Sequence, residues 1–265
     1  MNARFLICNN CNLRCVYCHN DYQGGIDCQI NKSEINFSKE IIYKTLKERN
    51  LNNINTIKIS GGEPFLKPKD VIEIIEFSSS INKKIVILTN ATIHNNNLFN
   101  KIIEHNVHEI RINFPTFDIL EYKSITKASD ENVRIMYDNI DYFARNNIPI
   151  LLNVVLVCHL NNIKNFILNY VKIATTEYKS MNFKSIRFII NDWLPCKNDY
   201  FDKAYKVLAS LTNTSGVQRR GRIIEFNDYY ISINLIKCDM NEKSDIYIIP
   251  PGIVLKDYIK GKAYD

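Results

Sequence analysis

No apolar run in this 265-residue chain approaches the roughly 20 residues that a membrane-spanning helix needs, so no transmembrane role is expected. The first residues carry one arginine and a short apolar patch that passes directly into a cysteine stretch. They show no small-residue cleavage site, so a secretion signal is not expected and the cytoplasm is the expected compartment. There is no long basic run either. A net charge of +6 is modest for this size; it argues against extensive nucleic-acid binding and weakly favours an anionic small-molecule substrate. Outside residues 8–18 there is no CxxC pair, and the chain has no internal repeat beyond a strand–helix period and no low-complexity tail. A hydrophobic content of 46% with 23% charged residues is that of a folded chain with a sizeable core.

Eight cysteines are present, and three of them fall within eight positions, as CNLRCVYC at 11–18. Packing of that kind fits metal ligation better than oxidised pairing in a cytosolic protein. Cys11, Cys15 and Cys18 are spaced so that one loop can hold three irons of a [4Fe–4S] cluster and leave the fourth iron open for a substrate or cofactor. Zinc is the competing metal; it needs a fourth ligand, and His19 is the only near candidate. The other cysteines, Cys8, Cys28, Cys158, Cys196 and Cys238, are solitary and read as small buried apolar residues.

The periodicity predicts strands at 3–7, 56–60, 85–89, 109–113, 150–157 and 185–190. They alternate with helices near 37–50, 69–79, 96–105, 131–146 and 162–174. Ser38 reads as the cap of the first helix and Asn50 as its stop. Near-continuous apolar strands such as ILLNVVLV imply burial on both faces, parallel pairing and right-handed crossovers. The expected fold is therefore α/β, a partial (β/α)6 TIM-like barrel over residues 1–195. A short β-rich extension over 196–265 is expected to close the barrel and contact substrate. Barrel chemistry sits at the carboxyl ends of the strands. Here those ends carry CNLRCVYC, SGGEP, TNAT, INFPT and NDWLP.

A CxxxCxxC loop after a first strand followed by GGEP after a second resembles the radical S-adenosylmethionine superfamily. Within it, ISGGEPFL, LTNAT, IRINFPTFDILEYKSITKAS, LNVVLV with Asn161, and IRFIINDWLP look most like the branch of the molybdenum-cofactor GTP cyclase. The resemblance implies an enzyme with a single [4Fe–4S] cluster that cleaves S-adenosyl-L-methionine reductively. The 5′-deoxyadenosyl radical would then abstract hydrogen from a small, anionic, nucleotide-like substrate. An electron donor such as flavodoxin or ferredoxin is implied as partner.

The resemblance also assigns residues. Cys11, Cys15 and Cys18 would be the iron ligands. Gly61, Gly62, Glu63 and Pro64 form the stretch that meets the cofactor's ammonium group, with the Glu63 carboxylate as the facing anion. Tyr17, acting largely through its backbone, would lie near the adenine. Thr89, Asn90 and Asn113 would lie near the cofactor, and Asn153 and Val157 on the adenine strand. Trp193, beyond the last barrel strand, is a candidate substrate contact. Arg219, Arg220 and Arg222 could hold a phosphate or carboxylate, or could lie on a solvated loop. The chain departs from the cyclase pattern in lacking a C-terminal cysteine triplet and a glycine tail, ending KGKAYD. That argues against the cyclase reaction itself. Peptide modification, activation of a glycyl-radical enzyme (suggested by CVYCHN) and non-catalytic metal binding stand as alternatives.

Overall fold

Short runs rich in β-branched residues, each followed by an amphipathic helix, cannot bury both sheet faces alone. They do so by stacking side by side. In the computed structural model, the described residues are 2–8, 10–18, 39–48, 53–156, 162–181, 183–191, 200–211, 217–220, 223–226, 232–238, 245–249, 253–257 and 262–263. The strands are β1 (Asn2–Leu6), β2 (Thr56–Ser60), β3 (Lys84–Thr89), β4 (Glu109–Asn113), β5 (Ile150–Val155), β6 (Phe183–Asn191), β7 (Val217–Arg220), β8 (Ile223–Phe226), β9 (Ser232–Cys238), β10 (Asp245–Ile249), β11 (Ile253–Asp257) and β12 (Lys262–Ala263). The helices are α1 (Lys39–Glu48), α2 (Pro68–Ser80), α3 (Asn96–Glu104), α4 (Ile119–Thr126), α5 (Asp130–Arg145), α6 (Ile163–Thr176) and α7 (Tyr200–Ser210).

The strands form one sheet in the order β12-β11-β10-β1-β2-β3-β4-β5-β6-β9-β8-β7. β1 to β6 lie side by side in chain order, and all five pairings among them are parallel, as the crossover helices require. The fold is thus the expected α/β partial barrel, with β1 to β6 and their crossover helices as its body.

Residues 196–265 were expected to form a β-rich extension that closes the barrel. The described strands of this region join both edges of the same sheet. β9 pairs parallel with β6, and β10 pairs parallel with β1. β10–β11–β12 and β7–β8–β9 continue outward antiparallel. The physical reason is that β1 and β6 would otherwise end the sheet with unpaired backbone groups.

Helix α4 was not foreseen, because the sequence 114–127 lacks a 3.6-residue apolar stripe. Asp118 caps it, accepting from the Glu121 amide at 2.8 Å. Ser38 and Asn50, read as the bounds of α1, lie outside the described residues.

Alternation along each barrel strand separates two faces. Ile57 and Ile59, Ile85 and Ile87, and Ile110 and Ile112 belong to the main apolar core with Phe65, Phe99 and Phe143. The opposite face carries Lys58 and Ser60 on β2, and Arg111 and Asn113 on β4. It also carries Asn153 on β5, Arg187 on β6 and Asn234 on β9. Asn113 is in register with Asn153, Asn153 with Arg187, and Arg187 with Asn234, so these side chains form one polar layer across four strands.

Candidate active site

The cysteine loop leaves β1 at Cys8 and is fastened on two sides by backbone hydrogen bonds. On one side, the Gly62 amide donates to the Cys8 carbonyl at 2.6 Å and the Glu63 amide to the Asn10 carbonyl at 2.8 Å. A Cβ at Gly61 would lie 2.4 Å from the Cys8 carbonyl oxygen, and Gly61 adopts φ +144°. Only glycine satisfies both demands. On the other side, the Arg14 amide donates to Thr126 and the Val16 amide to Ile125, so the last turn of α4 grips the middle of the loop. A turn from the Cys18 amide to the Cys15 carbonyl, 2.9 Å, brings the second and third cysteines together.

Cys11 is exposed, Cys15 and Cys18 are half-buried, and none of the three is in a disulfide. Burial pushes the Cys11 thiol up to about 11, with the neighbouring Cys18 adding to it. Burial, with charge on Cys11 and Cys18, raises Cys15 to about 12. Thiols held protonated in this way are ionised by a bound cation rather than by the fold. Among the described residues no three His, Cys, Asp or Glu side chains converge to share one metal ion. A cube places each thiolate on a separate iron, so three thiols around one loop fit its donor set without meeting at a point. His19, the fourth ligand that zinc would need, lies outside the described residues.

Glu63 does not face an open mouth. It is fully buried, and its carboxylate accepts from the Phe65 amide at 3.0 Å, the Thr89 hydroxyl at 2.7 Å and the Asn90 amide at 2.7 Å. Burial raises its pKa to about 7 against the pull of those three donors. The carboxylate thus ties the GGEP turn to the end of β3. Pro64 opens the short helical turn Pro64–Leu66, where its missing amide costs nothing. Thr89 is likewise turned inward, and its oxygen accepts from the Ala91 amide at 2.9 Å.

Asn90, by contrast, points at the cysteine loop. Its amide nitrogen contacts Cys11 Sγ at 3.6 Å and Asn12 Oδ1 at 3.0 Å. Tyr17 differs from its expected backbone role. Its ring is buried against Ile125 and Val155, and its hydroxyl donates to Asn113 Oδ1 at 2.8 Å. Asn113 in turn places its amide nitrogen 3.8 Å from Cys15 Sγ. Asn153 Oδ1 is buried with no hydrogen-bond partner among the described residues, an acceptor available to a ligand. Cys8 is buried as expected, with its thiol directed at the Asn10 and Glu63 carbonyls.

Val157, Trp193, Arg222, Cys28, Cys158 and Cys196 lie outside the described residues. Arg219 and Arg220 are not on a loop but in strand β7. β7 is separated from β6 by β8 and β9. The polar layer holds a different arginine, Arg187, which the sequence reading missed. Its signal was the two-residue period of RFII in phase with Asn153 on the neighbouring strand. Asn12, Thr92 and Asn139 were also missed. Asn139 on α5 donates to the Ala91 and Ile93 carbonyls at 2.8 and 3.0 Å and pins the loop after β3.

Chemistry carried on strand-end loops of a parallel α/β sheet, around three thiols that no disulfide ties up, defines a partial-barrel enzyme. The profile of the Radical SAM superfamily matches residues 5–165, more than half of the chain, and the chain belongs to that superfamily. It is 37% identical over 130 residues to a probable GTP 3′,8-cyclase of Methanocaldococcus jannaschii, covering 49% of this chain and 41% of that protein. It is 32% identical over 132 residues to the GTP 3′,8-cyclase of Clostridium botulinum, covering 49% of this chain and 39% of that one. The matches thus span about two-fifths of the length of these curated relatives. Among solved structures, Streptococcus suis SuiB bound to S-adenosylmethionine superposes with TM-score 0.66 at 11% identity, covering 96% of this chain and 57% of SuiB. The fold is therefore shared well beyond the region of sequence similarity.

Proposed function

We propose that the chain binds a [4Fe–4S] cluster through Cys11, Cys15 and Cys18, and S-adenosylmethionine at the remaining iron. On this reading it abstracts hydrogen from a small, anionic, nucleotide-like substrate. One observation carries the reading: three thiols outside any disulfide on a loop clamped between the GGEP turn and the end of α4, on the sheet face that carries the polar layer of Asn113, Asn153 and Arg187. When bound, the cluster supplies the one electron that breaks the sulfonium's carbon–sulfur bond, and with it the hydrogen-abstracting power.

The chain's own residues do the positioning. The Gly61–Gly62 backbone lies beside the loop, close enough to receive an ammonium group on its carbonyls. Asn153 Oδ1 offers an acceptor to adenine or ribose. Arg187, in register with Asn153, provides the cation for a carboxylate or phosphate. The GTP 3′,8-cyclase relatives favour a nucleotide as the molecule attacked.

The test is anaerobic reconstitution followed by reduction in the presence of S-adenosylmethionine and fractionated host metabolites, reading deuterium transfer into 5′-deoxyadenosine. Transfer from a nucleotide fraction supports the reading, and no transfer from any small-molecule fraction contradicts it. Peptide modification is the second reading. It draws on β7, which among the described residues pairs only with β8 and leaves a strand edge to which an extended chain could add. Co-purification of a short precursor peptide would favour it.

A further inference from the structure

Two asparagine side chains outside the cysteine loop reach its sulfurs, and the orientation of Asn90 is fixed by a backbone donor. Asn90 Oδ1 accepts from the Thr92 backbone amide at 2.9 Å and the Thr92 hydroxyl at 2.7 Å. A backbone N–H can only donate, so the oxygen is assigned by chemistry. The amide nitrogen must then face Asn12 and Cys11. Asn12 is itself held, through its own nitrogen, by Thr92 at 2.7 Å. With the Tyr17 hydroxyl donating to Asn113 Oδ1, the Asn113 nitrogen faces Cys15, and the same hydroxyl is also within hydrogen-bonding reach of the Cys15 thiol. Tyr17 belongs to the same loop as the thiols, is 6% exposed and packs on Ile125 and Val155, so it has little freedom to release the amide.

We infer that Asn90 and Asn113 are amide donors to the Cys11 and Cys15 thiolates and set the reduction potential of the cluster those thiolates hold, with Tyr17 as the residue that positions Asn113. The inference rests on the cluster reading above. A cube of charge 2+ with three thiolates carries net −1. One electron from an external donor takes the cube to 1+ and the whole to −2. An N–H aimed at a sulfur stabilises the more negative state more strongly, so each donor makes reduction easier. The two amides act on different irons, and they lie at the ends of adjacent strands, β3 and β4, where the barrel already fixes their backbones.

The test is potentiometric titration of the reconstituted protein, with the midpoint read from the reduced-cluster EPR signal. Asn113→Leu, which keeps the volume and removes the donor, and Asn90→Ala are each expected to weaken reduction about threefold to tenfold. At about 59 mV per tenfold for one electron, that is a fall of roughly 30–60 mV. Tyr17→Phe keeps the packing and frees the amide, so it should lower the midpoint in the same direction. The double variant Tyr17→Phe/Asn113→Leu should match Asn113→Leu alone.

A Tyr17→Phe shift that persists in the Asn113→Leu background would overturn the positioning role. Unchanged midpoints in iron-replete variants would overturn the inference while leaving the cluster reading intact; a wild-type protein that takes up no cluster removes both. If a variant fails to load iron, wild-type protein labelled with 15N-asparagine gives the readout by pulsed EPR. Coupling of side-chain 15N to the reduced cluster is expected, and its absence contradicts the contact.

Discussion

Glu63 is the residue on which the site's geometry turns, because one carboxylate oxygen receives the GGEP turn and the β3 end while the other receives the Asn90 amide. Its raised folded pKa means that the native state holds its proton more tightly than the unfolded chain. Its contribution is therefore fully present below about 4.5 and is lost as pH climbs through about 7. Relative to Glu63→Gln, the metal-free protein should lose roughly 3 kcal/mol of stability across that window, measured by denaturant unfolding. Parallel pH profiles for the two proteins would contradict this.

Gly61 makes the sharper demand. With a Cβ 2.4 Å from a backbone oxygen and φ at +144°, Gly61→Ala must push β1 away from β2. We expect it to cost more than about 3 kcal/mol and to abolish cluster retention. An iron-replete, stable Gly61→Ala protein would contradict the close approach. Both residues were legible as a motif, but the sequence suggested that the Glu63 carboxylate faces a ligand. Its burial depends on the distance between two loops that sequence alone does not give.

At the scale of elements, the strands were readable because β-branched runs with a clean two-residue period leave little choice; TIKIS and EIRIN fall where the pattern puts them. Helix α4 was hidden because its apolar positions do not repeat at 3.6 residues. It is held by its Asp118 cap and by Tyr122 and Ile125 packing on the cysteine loop side. Its function in the fold is to present the Ile125 and Thr126 carbonyls to the loop. The loop after β3 is held from the other direction by Asn139, while Ala91 within it adopts φ +59°. Asn139→Ala leaves two buried carbonyls without their donor and should cost about 2–4 kcal/mol in thermal or denaturant unfolding. A variant as stable as wild type would show that the loop holds itself.

For the whole molecule, the sequence indicated a parallel α/β barrel followed by a β-rich tail. It could not indicate that the tail is part of the same sheet, because the parallel partners of β9 and β10, which are β6 and β1, lie far away in the chain. β10 covers the edge of β1, the strand that delivers the cysteine loop. Removing residues 245–265 should therefore expose that edge, causing aggregation and loss of bound iron, scored by size-exclusion chromatography and iron analysis. A monomeric, iron-replete truncation would show that β10 is dispensable.

The central claim, three thiolates with a fourth iron left for a sulfonium cofactor, is tested most directly by reducing the anaerobically reconstituted protein with S-adenosylmethionine and measuring methionine release against iron content. The account predicts about four irons per chain and methionine formed with 5′-deoxyadenosine, both abolished in Cys15→Ala. A stable zinc or two-iron form that releases no methionine under strong reductant would contradict it.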